Sequence, residues 1–268
     1  IKGSRVFSFE NITERLQAKA HNTILEINLN AIVHNLNEYK KLLKPKTKVM
    51  AMVKAFSYGS GSYEIASLLQ YHNVDWLAVA YADEGVTLRQ RGITVPILVM
   101  NPEKSAFEAM FRYNLEPEIY SIKQFDEYLN EVEQYRAKNP STDSTFKVHI
   151  KVDSGMHRLG FEQEDIPALL AALKENNHVK IVSVFSHLAA SDDSKHDEFT
   201  KQQKRIFDSV YSTITDAIGH KPMRHLLNSA GISRFAEAQY EMVRLGIGLY
   251  GIDPSATMQQ KLENVGTL

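Results

Sequence analysis

From residue 46 onward, short apolar runs rich in Val and Ile alternate with longer stretches of helical period, the pattern of parallel β/α units. The runs predict strands over 48–54, 76–80, 95–100, 115–120, 146–152, 180–186, 223–227 and 241–245. Stretches such as 62–73, 121–138 and 195–218 have the charge and spacing of amphipathic outer helices. Eight strands with helices between them make an α/β protein built as a closed (β/α)8, or TIM, barrel. A further strand and helix over 23–43 precede the first barrel strand. The segment 139–144, reading NPSTDS, is the clearest loop, and after Asp253-Pro254-Ser255 the pattern holds no further full element.

The 268 residues are 43% hydrophobic and 24% charged, enough to bury a large core. One barrel of roughly 200–250 residues accounts for that length. The 31 Lys and Arg nearly balance the 32 Asp and Glu, without a long block of one sign, which argues against nucleic acid or an anionic membrane as partner. No cysteine is present, so disulfides, thiolate metal sites and cysteine nucleophiles are excluded, and nothing points to a metal. No apolar run approaches the roughly 20 residues of a membrane span, and no signal-peptide pattern opens the chain. Those two features point to the cytoplasm. The first residue is Ile, so the chain is expected to be a piece of something longer.

Reactive groups of such barrels sit where strands end and loops begin. Four predicted strand ends carry polar clusters. At the first, Lys54 closes an apolar strand and is followed by a Gly- and Ser-rich turn containing Tyr58. Partial desolvation there lowers a lysine's pKa and favours a Schiff base with an aldehyde, although a lysine reaching out of a strand end is the plainer explanation. At the second, alternation sends Lys151 and Asp153 to one side of the strand, where both charges need partners if that side is the interior. A third end carries His187. The fourth feature joins Asn228-Ser229-Ala230-Gly231 to Arg244, Gly246 and Ile247 on the last two strands, where small residues expose backbone N–H groups and barrels commonly bind phosphate. Each cluster alone is weak, but four of them on one rim are not independent accidents.

In order and spacing, VKAxxYGxG at Lys54, KVDSGMxRLG at Lys151, the Ser-His of the sixth strand, NSA at Asn228 and VRxGIxxYG at Arg244 resemble the bacterial alanine racemases. The resemblance spans about residues 23–255. It implies the barrel of the fold-type III enzymes that use pyridoxal 5'-phosphate (PLP), with Lys54 holding the cofactor and acting as a base on one face of the substrate α-carbon. It further implies that Tyr58, Ser229, Gly246 and Ile247, beside Asn228, contact the cofactor phosphate. Arg158 would lie near the phenolic oxygen, next to a Lys151 that is often carbamylated in the family, a change that turns repulsion of Arg158 into attraction. His187 would sit beside the ring within reach of Arg244, and Arg244 would face the pyridine nitrogen. An arginine stays protonated and cannot hand over a proton as a carboxylic acid would, so the ring is a weaker electron sink.

The resemblance also implies interconversion of L- and D-alanine for peptidoglycan synthesis by a homodimer. Its second base is a tyrosine from a C-terminal β-domain of the opposing subunit. No tyrosine of this chain matches that position, so the 268 residues are expected to bind PLP but to racemise alanine poorly. Two departures, Phe56 where the family usually has Asn and Ser60 where it usually has His, are expected to alter packing of the loop after Lys54. Residues 1–20 resemble the C-terminal end of the ligase that adds D-alanyl-D-alanine to UDP-muramoyl tripeptide, implying a fused, multifunctional protein. The chain then divides into that tail, a barrel over 21–255, and the start of a linker over 256–268. Competing readings are a PLP-homeostasis barrel without racemase activity, a PLP-dependent diamino-acid decarboxylase and a non-catalytic scaffold.

Overall fold

The computed structural model describes residues 25–140 and 145–267. The tail over 1–20 and part of the loop at 139–144 lie outside the described residues. Strand β1 (Glu26–Ile27) and helix α1 (Leu29–Lys40) lead into the barrel. Its strands are β2 (Lys48–Met52), β3 (Trp76–Val79), β4 (Ile97–Val99), β5 (Glu116–Ile119), β6 (Phe146–Lys151), β7 (Val179–Phe185), β8 (Met223–His225) and β9 (Met242–Leu245). All eight expected strands are present. Seven lie inside the expected bounds, and β7 is displaced by one residue. After β2 come a short turn α2 (Lys54–Tyr58) and helix α3 (Ser62–Tyr71), and later strands are followed by α4 (Ala82–Gln90), α5 (Phe107–Arg112), α6 (Ile122–Lys138), α7 (Ile166–Lys174), α8 (Asp197–Ile218) and α9 (Ser229–Arg234).

The eight strands are parallel and ordered β8-β7-β6-β5-β4-β3-β2-β9. The two ends of that order meet where the Arg244 amide donates to the Leu227 carbonyl at 3.0 Å, just past β8. Alternation separates two faces. Val49, Ala51 and Val53 belong to the layer packed under the helices, whereas Met50 and Met52 join Trp76, Ala78, Leu98 and Met242 inside the barrel. The other half of the interior is polar: Glu116, Glu118, His149, Lys151, Ser183, His225 and Arg244 are all buried. An interior this charged is not a stability device, because each ion there needs a partner to offset its desolvation.

The helices follow their local chemistry. On α8 the residues Gln203, Phe207, Val210, Tyr211 and Ile214 recur at spacings of three and four and are buried, and Gly219 ends the helix with φ of 71°. Asn28 caps α1 by accepting from the amides of Asn30 and Ala31 at 3.0 and 3.1 Å. The stretch after residue 255 packs back on the barrel. Met258 and Val265 are buried, β10 (Gly266–Thr267) pairs antiparallel with β1, and the Asn35 side chain, buried on α1, holds the Glu263 backbone at 2.9 and 2.7 Å. Two apolar side chains in this stretch, with a buried amide to receive its backbone, outweigh its loop-like composition. Among the described residues no helix is long and apolar enough to cross a membrane.

Candidate active site

A cavity of about 290 Å³ opens at the C-terminal ends of the strands, at the lower edge of the size range of small-molecule pockets. Its lining includes Lys54, Tyr58, Lys151, Arg158, His187, Asn228, Ser229, Arg244, Gly246 and Ile247. All ten site residues expected from the sequence thus reach one cavity, contributed by five strand ends.

The turn that presents Lys54 and Tyr58 winds the unusual way. Ala55, Ser57 and Tyr58 have φ of 52°, 55° and 56°, and Gly59 follows at 87°. Non-glycine residues pay roughly 1–2 kcal/mol each for this left-handed backbone. Several in succession mark strain stored at a site and held by the surroundings. The holding contacts are visible: Glu84 on α4 accepts from the Ala55 amide at 2.7 Å, and the Tyr58 ring packs 4.8 Å from that of Tyr250. Burial pushes the Lys54 ammonium below the usual lysine range, and the nearby charges of Arg158 and Lys151 push it the same way.

Across the cavity, Asn228 caps α9 by accepting from the Gly231 amide at 2.9 Å and also accepts from the Ser191 hydroxyl at 2.8 Å. Its carbonyl oxygen is therefore engaged in shaping the rim. Ser229 Oγ accepts from the amides of Gly246 and Gly248 at 3.0 and 3.2 Å. Ile247 opens the short turn Ile247–Tyr250, so its amide has no partner within that turn. A Cβ on Gly246 would meet the Tyr58 hydroxyl and Met52 Cγ at 3.4 Å and Ser229 Oγ at 3.8 Å. The missing side chain leaves a cradle bounded by two hydroxyls and a turn of amides, a donor set suited to a phosphate.

Arg244 is almost fully buried. Its Nη1 donates to His225 Nδ1 at 2.9 Å and the His225 carbonyl at 2.8 Å, and its Nη2 donates to the carbonyls of Ser186 and Leu226 at 2.6 and 3.2 Å. Of the five N–H donors of a guanidinium, Nε–H is the one left without a protein partner among the described residues. Burial brings this guanidinium down to about 10, still a cation at neutral pH. His187, expected within reach of Arg244, lies in its field: burial, and then the charges of Arg244, Arg158, Lys151 and Lys54, lower the imidazole to about 3, so it is neutral. The histidine that touches Arg244 is His225, which the sequence reading missed. Its position in β8, two residues after Met223 and facing the same side as Ser183 and Arg244, was the available signal.

The resemblance pairs Arg158 with a carbamylated Lys151, and alternation gives Lys151 and Asp153 a need for partners wherever their side of the strand is interior; as an ammonium, Lys151 finds its partner on the neighbouring strand. Lys151 Nζ donates to Glu118 Oε1 at 2.8 Å, and Glu118, another residue the sequence reading passed over, is wholly buried with Oε2 unpartnered. Burial raises the Glu118 carboxyl, while Lys151, Arg244 and Arg158 pull it the other way. Strand β6 ends at Lys151, so Asp153 lies in the following loop, where its Oδ1 accepts from the amides of Gly155, Met156 and His157 at 2.8, 3.0 and 3.1 Å. Arg158 is exposed at the rim.

Four cations, Lys54, Lys151, Arg158 and Arg244, thus line one small cavity, with Asp192 the one acidic residue in its lining and Glu118 behind Lys151. Such a field selects an anionic ligand.

The model of the alanine racemase N-terminal domain family matches residues 27–254. Alanine racemase 1 of Oceanobacillus iheyensis is 32% identical over 241 residues, covering 89% of this chain and 62% of that protein. The alanine racemase of a Nostoc species is 35% identical over 243 residues, covering 89% and 61%. Among solved structures, a Clostridium difficile alanine racemase in complex with cycloserine superimposes with a TM-score of 0.83 at 32% identity, covering 93% of this chain and 68% of that one. A Bacillus anthracis alanine racemase with bound L-Ala-P gives 0.81 at 27% identity, covering 93% and 64%. The chain spans about three fifths of the length of the curated relatives it matches. From the match over nearly the whole barrel and the shared fold, this chain belongs to the alanine racemase N-terminal domain family.

Proposed function

We propose that this barrel is the cofactor-binding part of a PLP-dependent alanine racemase that supplies D-alanine for peptidoglycan. The observation that carries the reading is the conjunction, in one cavity, of a lysine with a lowered pKa, a hydroxyl-and-amide cradle at Gly246, and an arginine with one free N–H. The residues fit the cofactor group by group. The hydroxyls of Tyr58 and Ser229 and the amide of Ile247, with the space left by Gly246, would hold the phosphate, Arg158 and Lys151 would serve the phenolic oxygen, and the neutral His187 would lie beside the ring. Arg244, with its Nε–H unpartnered, would serve the ring nitrogen.

When bound, PLP supplies an aldehyde that condenses with amines and a ring that withdraws electrons from the substrate α-carbon. The protein's part is to place and move protons around that carbon. Burial makes Lys54 Nζ available as a neutral amine at a lower pH than a free lysine, so it can take a proton from one face and return it. Arg244, still a cation, would orient the ring without handing it a proton. Racemisation requires a second proton carrier on the opposite face. We assign that place to a tyrosine of an opposing subunit in a homodimer, following the family resemblance. The L-Ala-P bound to the Bacillus anthracis relative supports alanine as the substrate.

Borohydride reduction of the chain mixed with PLP tests the reading. Mass spectrometry is expected to find a single phosphopyridoxyl adduct on the Lys54 peptide, absent in Lys54→Ala, and alanine in heavy water is expected to exchange its α-hydrogen. An adduct spread over surface lysines, or none, would overturn it.

A further inference from the structure

Behind Arg244 the buried polar residues make a continuous hydrogen-bonded line. Arg244 Nη1 meets His225 Nδ1 at 2.9 Å, His225 Nε2 meets Ser183 Oγ at 2.7 Å, Ser183 Oγ meets His149 Nδ1 at 2.6 Å, and His149 Nε2 meets Glu116 Oε2 at 2.8 Å. Every one of these side chains is buried, and the line crosses the interior through β9, β8, β7, β6 and β5. An irregularity in the sheet brings its centre together. Val148 pairs with Ile181 but His149 pairs with Ser183, so Val182 is an extra residue on β7 that sets Ser183 opposite His149.

The direction of the line follows from its two ends. Arginine has no acceptor, so His225 Nδ1 must accept, and a neutral His225 carries its hydrogen on Nε2. Burial, and then the charge of Arg244, hold His225 far below the usual histidine range, hence neutral. Its Nε2–H donates to Ser183, the Ser183 hydroxyl donates to His149 Nδ1, and His149 Nε2–H donates to Glu116, which also accepts from Trp76 Nε1 at 2.9 Å. With Glu116 ionised and each imidazole carrying a single hydrogen, no other arrangement leaves all four contacts satisfied.

We propose that Arg244, His225, Ser183, His149 and Glu116 form a one-way hydrogen-bond relay across the barrel, in which Ser183 is the positioning residue that ties the cavity arginine to a distant buried carboxylate. Its consequence for the site rests on the racemase reading. All the donors point away from the cavity, and reversing them would require Arg244 to accept a hydrogen bond. The interior histidines are therefore barred from protonating whatever faces Arg244, and Nη1 is locked so that Nε–H stays turned to the ligand.

The test is a long-range proton–nitrogen NMR spectrum of the chain labelled with 15N-histidine, assigned by the signals lost in His149→Gln and His225→Gln. Both rings are expected as neutral Nε2–H tautomers at neutral pH; an Nδ1–H or doubly protonated ring at either position overturns the relay. In Ser183→Ala, exchange of the Arg244 side-chain N–H signals with water is expected to accelerate at least about tenfold, and Ser183→Thr, which keeps the hydroxyl, to remain near wild type. Unchanged exchange in Ser183→Ala also overturns it. Should that variant fail to fold, the wild-type tautomers alone decide. The borohydride adduct at Lys54 is scored separately: its absence with the expected tautomers removes the racemase reading and leaves the relay standing.

Discussion

Replacing Glu118 by Gln should be among the most damaging isosteric changes in the barrel. Glu118 has no exposed surface, Lys151 is 4% exposed, and their 2.8 Å contact is the one hydrogen bond of the Lys151 ammonium among the described residues. The shape survives in the variant, but the charge that offsets Lys151 goes, with Arg158 and Arg244 still near. Removing one member of a buried pair costs about 3–5 kcal/mol, because the other charge stays desolvated. For a chain of this size that lowers Tm by roughly 6–20 °C. Urea titration of Glu118→Gln, Lys151→Met and the double variant measures it: each single variant should lose several kcal/mol, and the double variant much less than their sum. A loss under about 1 kcal/mol in Glu118→Gln, or full additivity, would refute the account of the pair. Carbamylation gives a second readout. A lysine already paired with a carboxylate has its counter-charge, so the wild type in 13C-bicarbonate should show no carbamate carbon signal. Glu118→Gln should show one, together with recovered stability.

Three further outcomes are expected. Ala55→Gly should stabilise the chain in urea by up to about 1 kcal/mol, since glycine relieves the left-handed strain but loses more freedom on folding. Glu116 is held at about 2 because, although burial raises it, hydrogen bonds from His149 and Trp76 and the charge of Lys147 lower it more. Its folded value lies below the unfolded one, so the stabilisation, about 3 kcal/mol from a shift between 4.5 and about 2, is fully present above pH 4.5 and lost as pH falls toward 2; Glu116→Gln should flatten the stability curve across that window. Gly246→Ala should fold normally yet weaken PLP binding by on the order of tenfold or more, while leaving affinity for the phosphate-free aldehyde unchanged, as equilibrium dialysis would show.

Much of this molecule was readable before any coordinates. Short apolar runs and period-3.6 patterning defined the eight strands and the main outer helices, since burial on both faces of a parallel strand leaves an uninterrupted Val- and Ile-rich run. The rim residues Lys54, Lys151, His187, Ser229 and Arg244 stood out because polar side chains ending apolar strands are costly unless used. What folding alone decided is which charges meet. Glu116 and Glu118 sat in an unremarkable Glu-Pro-Glu run, and their partners are 33 residues away on the next strand. The line from Arg244 to Glu116 depends on a one-residue slip between two strands, which side-chain identity does not encode locally. The left-handed turn at Ala55 and Ser57 runs against intrinsic preference and persists through tertiary contacts, and the docking of 256–267 depends on a surface created by the barrel. Local patterning is set by near neighbours along the chain, whereas electrostatic pairing is set by distances that exist only once the ring of strands has closed.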